Sequence, residues 1–223
     1  RCTEMAGKIV HIPRVLYHWR VHSASTADNP ASKLYAYEAG KKAIEGNLAR
    51  CGEEGTVTLR SDYGFYDVDY KLQGMLSAPL LHCQGDTLRT CLESIKKKCM
   101  YPSYEILIIE NNSTEEATFS YYKELEAQGI RVLKYPKQGF NYSAINNFGV
   151  KEAKGEYLLF LNNDMEIITP DFMEKMVSNL QRPQIGAVGA KLYYPDNTVQ
   201  HAGIIIGIGG IAGHAFLGLA RGR

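Results

Sequence analysis

The sequence lacks the cysteine spacings that organise a small domain around metal or disulfides. Its five cysteines, Cys2, Cys51, Cys83, Cys91 and Cys99, are odd in number and form no CxxC or Cys/His cluster. Neither a zinc site nor a disulfide framework is expected, and reduced thiols in a cytoplasmic protein are. Charge of one sign is also lacking: 25 Lys and Arg against 24 Asp and Glu leave a formal net charge of +1. That removes the bulk electrostatic case for nucleic acid or an anionic membrane as partner. The opening RCTEMAGK has no secretory h-region and no initiating Met, so the chain reads as a fragment of a longer cytoplasmic protein.

Long uncharged runs are scarce. One, Ala202 to Ala220, is long enough to cross a bilayer. Six of its residues are Gly and one is His214, and it lacks flanking basic asymmetry. Poor helix propensity therefore predicts a buried strand and a glycine-rich loop instead of a transmembrane segment. Peripheral membrane association of the parent protein is left open. Within the run, GIGGIA (Gly207 to Ala212) matches the Gly-x-Gly-x-x-Ala dinucleotide fingerprint. It follows the last strand instead of opening the first βαβ unit, and no acid follows about 20 residues later, so dinucleotide binding is not expected. The glycan-acceptor triplets at Asn111, Asn112 and Asn141 are read as incidental, since no secretory signal accompanies them.

What remains is an ordinary soluble composition, 223 residues with 45% hydrophobic and 22% charged, enough for a sizeable core in one large or two small domains. The first region holds KIVHIP, an aromatic and basic cluster LYHWRVHSAST, and a helix with Asn29 as N-cap and Pro30 at its first position. TVTLR and FYDVDY then alternate around the turn residues SDYG, which predicts a hairpin. From Met75 onward, strands and helices alternate. LSAPLLH, YEILIIE, IRVLKY, EYLLFL, IGAVGAKLYY and GIIIGIG read as strands. Helices are predicted over DTLRTCLESIKKKC with Asp86 as N-cap, EEATFSYYKELEAQ with a Ser113/Glu116 capping box, YSAINNFGVKEAKG, and TPDFMEKMVSNLQ with Thr169 as N-cap. Lys96, Lys97 and Lys98 read as solvated charges favoured by the helix dipole. This order implies an α/β fold: a Rossmann-like, mostly parallel sheet with helices on both faces.

In such sheets ligands bind beyond the carboxyl ends of the strands. Glu110, Asn111, Asn112 and Ser113 follow one strand; Asn162, Asn163 and Asp164 follow another. A carboxylate among carbonyl oxygens suits Mg2+ or Mn2+, which bind through one or two carboxylates plus substrate phosphates. The same residues also suit a capped turn with a solvated Asp164, and residue types alone do not separate the two.

In order and spacing, YEILIIENNSTEE, FNYSAINNFGVKEAKGEYLLFLNNDMEIITPDF and IGAVGAKLYYPDNTVQHAGIIIGIGGIAGHA resemble the nucleotide-sugar-binding half of family 2 glycosyltransferases, nearest to rhamnosyltransferase-like bacterial members with tandem domains. The resemblance implies a GT-A fold and inverting, metal-dependent transfer of a sugar from a nucleoside-diphosphate-sugar donor to a glycan or polysaccharide acceptor. It places Glu110 and Asn111 at the family's nucleoside-contacting acid pair, with Asn112 beside them in the nucleotide-sugar site, and Asn146 and Asn147 at the family's Arg-Asn. Asn162 and Asn163 take the first places of the DxD motif, and Asp164 is its metal-linked carboxylate. HIPRVLYHWRVHSASTA resembles the closing segment of such a domain, with Trp19, Arg20 and His22 near the donor diphosphate; aromatic packing explains Trp19 and His22 equally well. The expected organisation is a preceding domain's tail over residues 1–51, a hairpin linker over 52–74, and the start of a second transferase domain over 75–223. The altered first strand, LSAPLLHCQGD, departs from the family. The segment that supplies the family's catalytic base has no counterpart, so no base is assigned, and nucleotide binding without turnover is expected of these residues alone. Two other readings remain: a nucleotidyltransferase, for which HCQGDTLR is poor in Gly, and a non-catalytic binding module.

Overall fold

The computed structural model describes residues 4–23, 25, 26, 28–72 and 85–221. The chain divides into two compact units, Arg1–Lys71 and Leu72–Arg223.

In the first unit, Asn29 caps a short 3-10 turn, Pro30–Lys33, by accepting from the Ala31 backbone N–H at 3.1 Å. The helix α1 (Leu34–Cys51) follows and ends at Gly52, whose φ of 69° is the left-handed stop that glycine favours. The predicted hairpin forms from β1 (Gly55–Leu59) and β2 (Tyr66–Tyr70), antiparallel with Val57 opposite Val68. It packs on α1: Tyr66 Oη donates to the Tyr37 carbonyl at 2.8 Å, and the Tyr37 and Tyr63 rings stack at 5.1 Å. Trp19 Nε1 donates to Ser25 Oγ at 3.1 Å, with the Tyr17 ring edge-on at 6.2 Å.

The second unit is built about β3 (Leu107–Glu110), all four residues of which are buried. A strand buried on both faces needs the unbroken apolar run that ILII supplies. Ile106 and Ile108 pack with Leu92 and Ile95 of α2 (Gly85–Lys98), Leu125 of α3 (Glu116–Ala127) and Val177 of α5 (Phe172–Leu180). Leu107 and Ile109 point the other way, toward Ile145 of α4 (Tyr142–Glu152) and Tyr135. Helices thus cover both faces, and each fully buried Leu or Ile contributes about 1.5–3 kcal/mol. The strand β4 (Arg131–Lys134) lies parallel to β3, in register from Leu107 opposite Arg131 to Glu110 opposite Lys134, with α3 as the crossover.

The α/β class is as expected, but the ladder is shorter. Among the described residues β3 and β4 are the one parallel pair. EYLLFL, residues 156–161, joins no ladder; packing positions it, with Tyr157, Leu159 and Leu161 against the α2–α3–α5 side of the core. The expected strand LSAPLLH, residues 76–82, and the capping role of Asp86 lie outside what is described. IGAVGAKLYY is reduced to β5 (Leu192–Tyr193), antiparallel to β6 (Val199–His201). GIIIGIG forms β7 (Ile204–Ile206), paired antiparallel with β8 (Ala212–His214). Both were read within a buried strand-and-loop segment, yet Ile204, Ile205 and Ile206 are exposed. The turn between them needs left-handed backbone at Gly207, Gly209 and Gly210, which is why GIGGIA is a hairpin turn and not a strand-to-helix phosphate loop. No helix among the described residues is long and apolar enough to cross a membrane.

Two helix starts differ from expectation. Ser113 and Glu116 form no capping box: α3 begins after Glu115, without a side-chain cap, because Ser113 is engaged by Glu110. The helix α5 begins after Asp171 instead of Thr169.

Candidate functional site

The carboxyl end of β3 is closed by its own acid. Glu110 is 4% exposed, and its Oε1 accepts from the Ser113 backbone N–H at 2.7 Å. That bond folds residues 110–113 into a turn, with Asn112 at φ 58°, a conformation Asn tolerates better than most side chains. Asn112 Nδ2 donates to Asn111 Oδ1 at 3.1 Å and to the Gly139 carbonyl at 3.3 Å. The turn after β3 therefore touches the loop that follows β4 and enters α4.

Asn141 caps α4 by accepting from the Ala144 backbone N–H at 3.0 Å. Asn146 spends its amide on the Tyr142 carbonyl one turn back, at 2.9 Å, while Asn147 is exposed. Glu110, Asn111 and Asn112 are thus one local group, tied through Gly139 to the entry of the helix that carries Asn146 and Asn147.

The second group follows residues 156–161. The backbone N–H of Lys154 donates to Glu105 Oε1 at 2.5 Å, and Arg131 Nη1 holds Glu105 Oε2 at 3.4 Å. The segment therefore starts beside the start of β3 and packs against the same cluster as Ile106 and Ile108, and Asn162–Asp164 follow its end. Asn163 and Asp164 form a turn there. Asn163 Nδ2 donates to Thr87 Oγ1 at 2.8 Å, and the Asn162 carbonyl faces Cys91 Sγ at 3.9 Å. Asp164 is exposed and makes no hydrogen bond or ion pair with the described residues. Burial pushes the Cys91 thiol up to about 11; the Met165 backbone N–H works against this, and the Asp164 charge adds to it.

The donor set bears on a metal. No three His, Cys, Asp or Glu side chains among the described residues converge on one point, so a zinc-type cage is not present there. A lone exposed carboxylate fits a hard cation that takes its other ligands from phosphate and water.

Two other acids have local roles. Asp171 precedes α5 and pairs with Lys175 at 3.1 Å. Asp196 accepts from Thr198 Oγ1 at 2.7 Å and its backbone N–H at 2.9 Å, bonds that hold its carboxyl below the usual range. A concavity lined by Leu48, Thr56 and Asp69 belongs to the first unit and contains none of the candidate residues.

Sequence reading missed the part played by α2. Thr87, Cys91, Ser94 and Lys98 share one helical stripe, and spacings of four, three and four are visible in the sequence. Lys98 is no solvated helix-end charge, since its Nζ donates to the Ile167 carbonyl at 2.6 Å. Lys96 bonds Gln128 Oε1.

The profile of glycosyl transferase family 2 matches residues 79–206. The chain is 40% identical over 225 residues to O-antigen biosynthesis protein RfbC of Myxococcus xanthus, covering 100% of this chain and 18% of that protein. It is also 40% identical to the uncharacterized protein y4gI of Sinorhizobium fredii, covering 97% of this chain and 25% of that one. The chain therefore spans a quarter or less of these relatives' length. Among solved structures, a mannosyltransferase, PcManGT of Pyrobaculum calidifontis, in complex with GDP-Man and Mn2+, aligns with a TM-score of 0.47 at 14% identity, over 75% of this chain and 47% of that one.

Proposed function

The chain belongs to glycosyl transferase family 2, and from that premise we propose that it is part of a glycosyltransferase whose second unit binds a nucleoside-diphosphate sugar with the help of Mg2+ or Mn2+ at Asp164. The acceptor of the whole protein is a glycan or polysaccharide, and transfer is inverting. The observation that carries the reading is Asp164: an exposed carboxylate without a hydrogen-bond or ion-pair partner among the described residues, borne on a turn whose Asn162 and Asn163 are tied down. A solvated surface Asp does not need Asn162 and Asn163 to be fixed from behind.

In this reading Asp164 holds the cation together with diphosphate oxygens and water, and a cation there neutralises charge on the leaving diphosphate. Glu110 keeps the β3 turn closed and so presents Asn111 and Asn112 to the nucleoside. Asn146 and Asn147 belong to the same donor pocket, reached from α4.

Calorimetry with UDP and dTDP, with and without Mn2+, tests this on the wild type and Asp164→Ala. The expected result is metal-dependent nucleotide binding that disappears in the variant. Binding unaffected by metal or by the substitution would remove Asp164 from the site, and no nucleotide binding at all would leave a non-catalytic module as the better reading.

A further inference from the structure

Four polar side chains on one stripe of α2 reach the segment that carries Asp164. Thr87 Oγ1 accepts from Asn163 Nδ2 at 2.8 Å. Cys91 Sγ lies 3.9 Å from the Asn162 carbonyl, so the thiol meets the turn at its start. Ser94 Oγ, buried, accepts from the Ile167 backbone N–H at 3.0 Å and donates to the Cys91 carbonyl at 2.8 Å. Lys98 Nζ takes the Ile167 carbonyl at 2.6 Å and lies 3.3 Å from Glu166. Residues 162–167 join no strand ladder, so these side chains satisfy backbone groups that a neighbouring strand would otherwise satisfy.

We infer that this stripe of α2 is the positioning element of the Asp164 carboxylate, with Thr87 and Cys91 setting the turn on which it is presented. The inference rests on the proposed metal-binding role of Asp164. Asp164 makes no hydrogen bond or ion pair among the described residues, so among them its aim is set by the turn. The turn's fixed points are Thr87 at Asn163 and Cys91 at Asn162. The helix is in turn anchored by Leu88, Leu92 and Ile95 in the core. A group that orients a metal ligand from behind typically changes metal affinity by about 10- to 100-fold, and these two side chains occupy that place.

The test uses the full chain with Thr87→Val, which removes the acceptor at nearly constant volume from an exposed position, and Thr87→Ser, which restores it. Two quantities are read: Mn2+–UDP affinity by calorimetry, and backbone amide exchange across residues 160–168 by mass spectrometry. Thr87→Val is expected to weaken Mn2+–UDP binding by about tenfold and to speed exchange at 162–165. Exchange in β3 and the thermal midpoint stay unchanged, and Thr87→Ser restores both altered quantities. Wild-type exchange and affinity in Thr87→Val overturn the inference. Asp164→Asn in parallel separates the two ideas. If it keeps wild-type Mn2+–UDP affinity, the metal reading of Asp164 falls. If it loses affinity while Thr87→Val stays wild type, the positioning role alone falls. Should the wild type take no Mn2+–UDP, the metal reading falls and the exchange at 162–165 decides the grip.

Discussion

The Glu110 carboxylate, at the buried end of β3, is bonded to the backbone N–H of Ser113 three residues later, at 2.7 Å. This bond replaces the helix cap expected of Ser113 and makes the acid part of the turn. Glu110→Ala strands the Ser113 N–H and is expected to cost about 1–3 kcal/mol of unfolding free energy. Glu110→Gln keeps a carbonyl acceptor and is expected to cost less. Urea midpoints of the two variants check the order; equal losses would show that the bond contributes nothing specific.

The two faces of β3 supply the second prediction. Leu107 and Ile108 are adjacent in sequence, 0% and 2% exposed, and belong to opposite clusters. Leu107→Ala and Ile108→Ala should each cost about 2–5 kcal/mol, by the same denaturant measurement. A strand with one solvated face would give one large loss and one small.

These elements also show what the sequence made legible. ILII announced a strand buried on both sides, and the helical periodicities of α2, α3 and α4 fell where those helices lie, because each signal is local. The failures were contacts between distant residues. Ser113 with Glu116 has the spacing of a capping box, but Glu110 was close enough to take the Ser113 N–H first. EYLLFL has the composition of a strand, yet ladder pairing depends on neighbours that its own residues do not encode. At the site, the resemblance singled out Asn162 to Asp164, while Thr87, Cys91 and Ser94, about 75 residues upstream, looked like ordinary positions on an amphipathic helix.

Cys91 carries a pH prediction. Burial raises its thiol from the ordinary 9.0 to about 11. Between those values the unfolded chain releases the proton while the folded chain keeps it, so stability falls as pH rises through this window and is insensitive to Cys91 below it. Denaturant unfolding from pH 8 to 11 should show a steeper alkaline loss for wild type than for Cys91→Ala, and iodoacetamide at pH 8 should alkylate the exposed Cys51 before Cys91. Parallel alkaline profiles for the two proteins would count against the buried thiol.

In the first unit, Glu4 gives the opposite sign. Its carboxylate accepts from Arg50 Nε at 2.8 Å and Nη2 at 2.7 Å, and from Asn47 Nδ2 at 2.8 Å. Arg50 first, then Asn47, hold its carboxyl well below the usual range. A depressed folded-state value means the contact is intact above the ordinary carboxylate value and is lost only as pH falls through the lower, folded one. In a carbon-detected NMR titration, Glu4 should still be ionised below the ordinary range of a glutamate carboxyl, and Arg50→Gln should return it toward that range. Because both partners are solvent-accessible, the effect should shrink in high salt. A wild-type Glu4 curve that falls in the ordinary range of a glutamate carboxyl would show that the fork between Glu4 and Arg50 does not persist in solution, and that residues 4–7 are not tied to α1 through it.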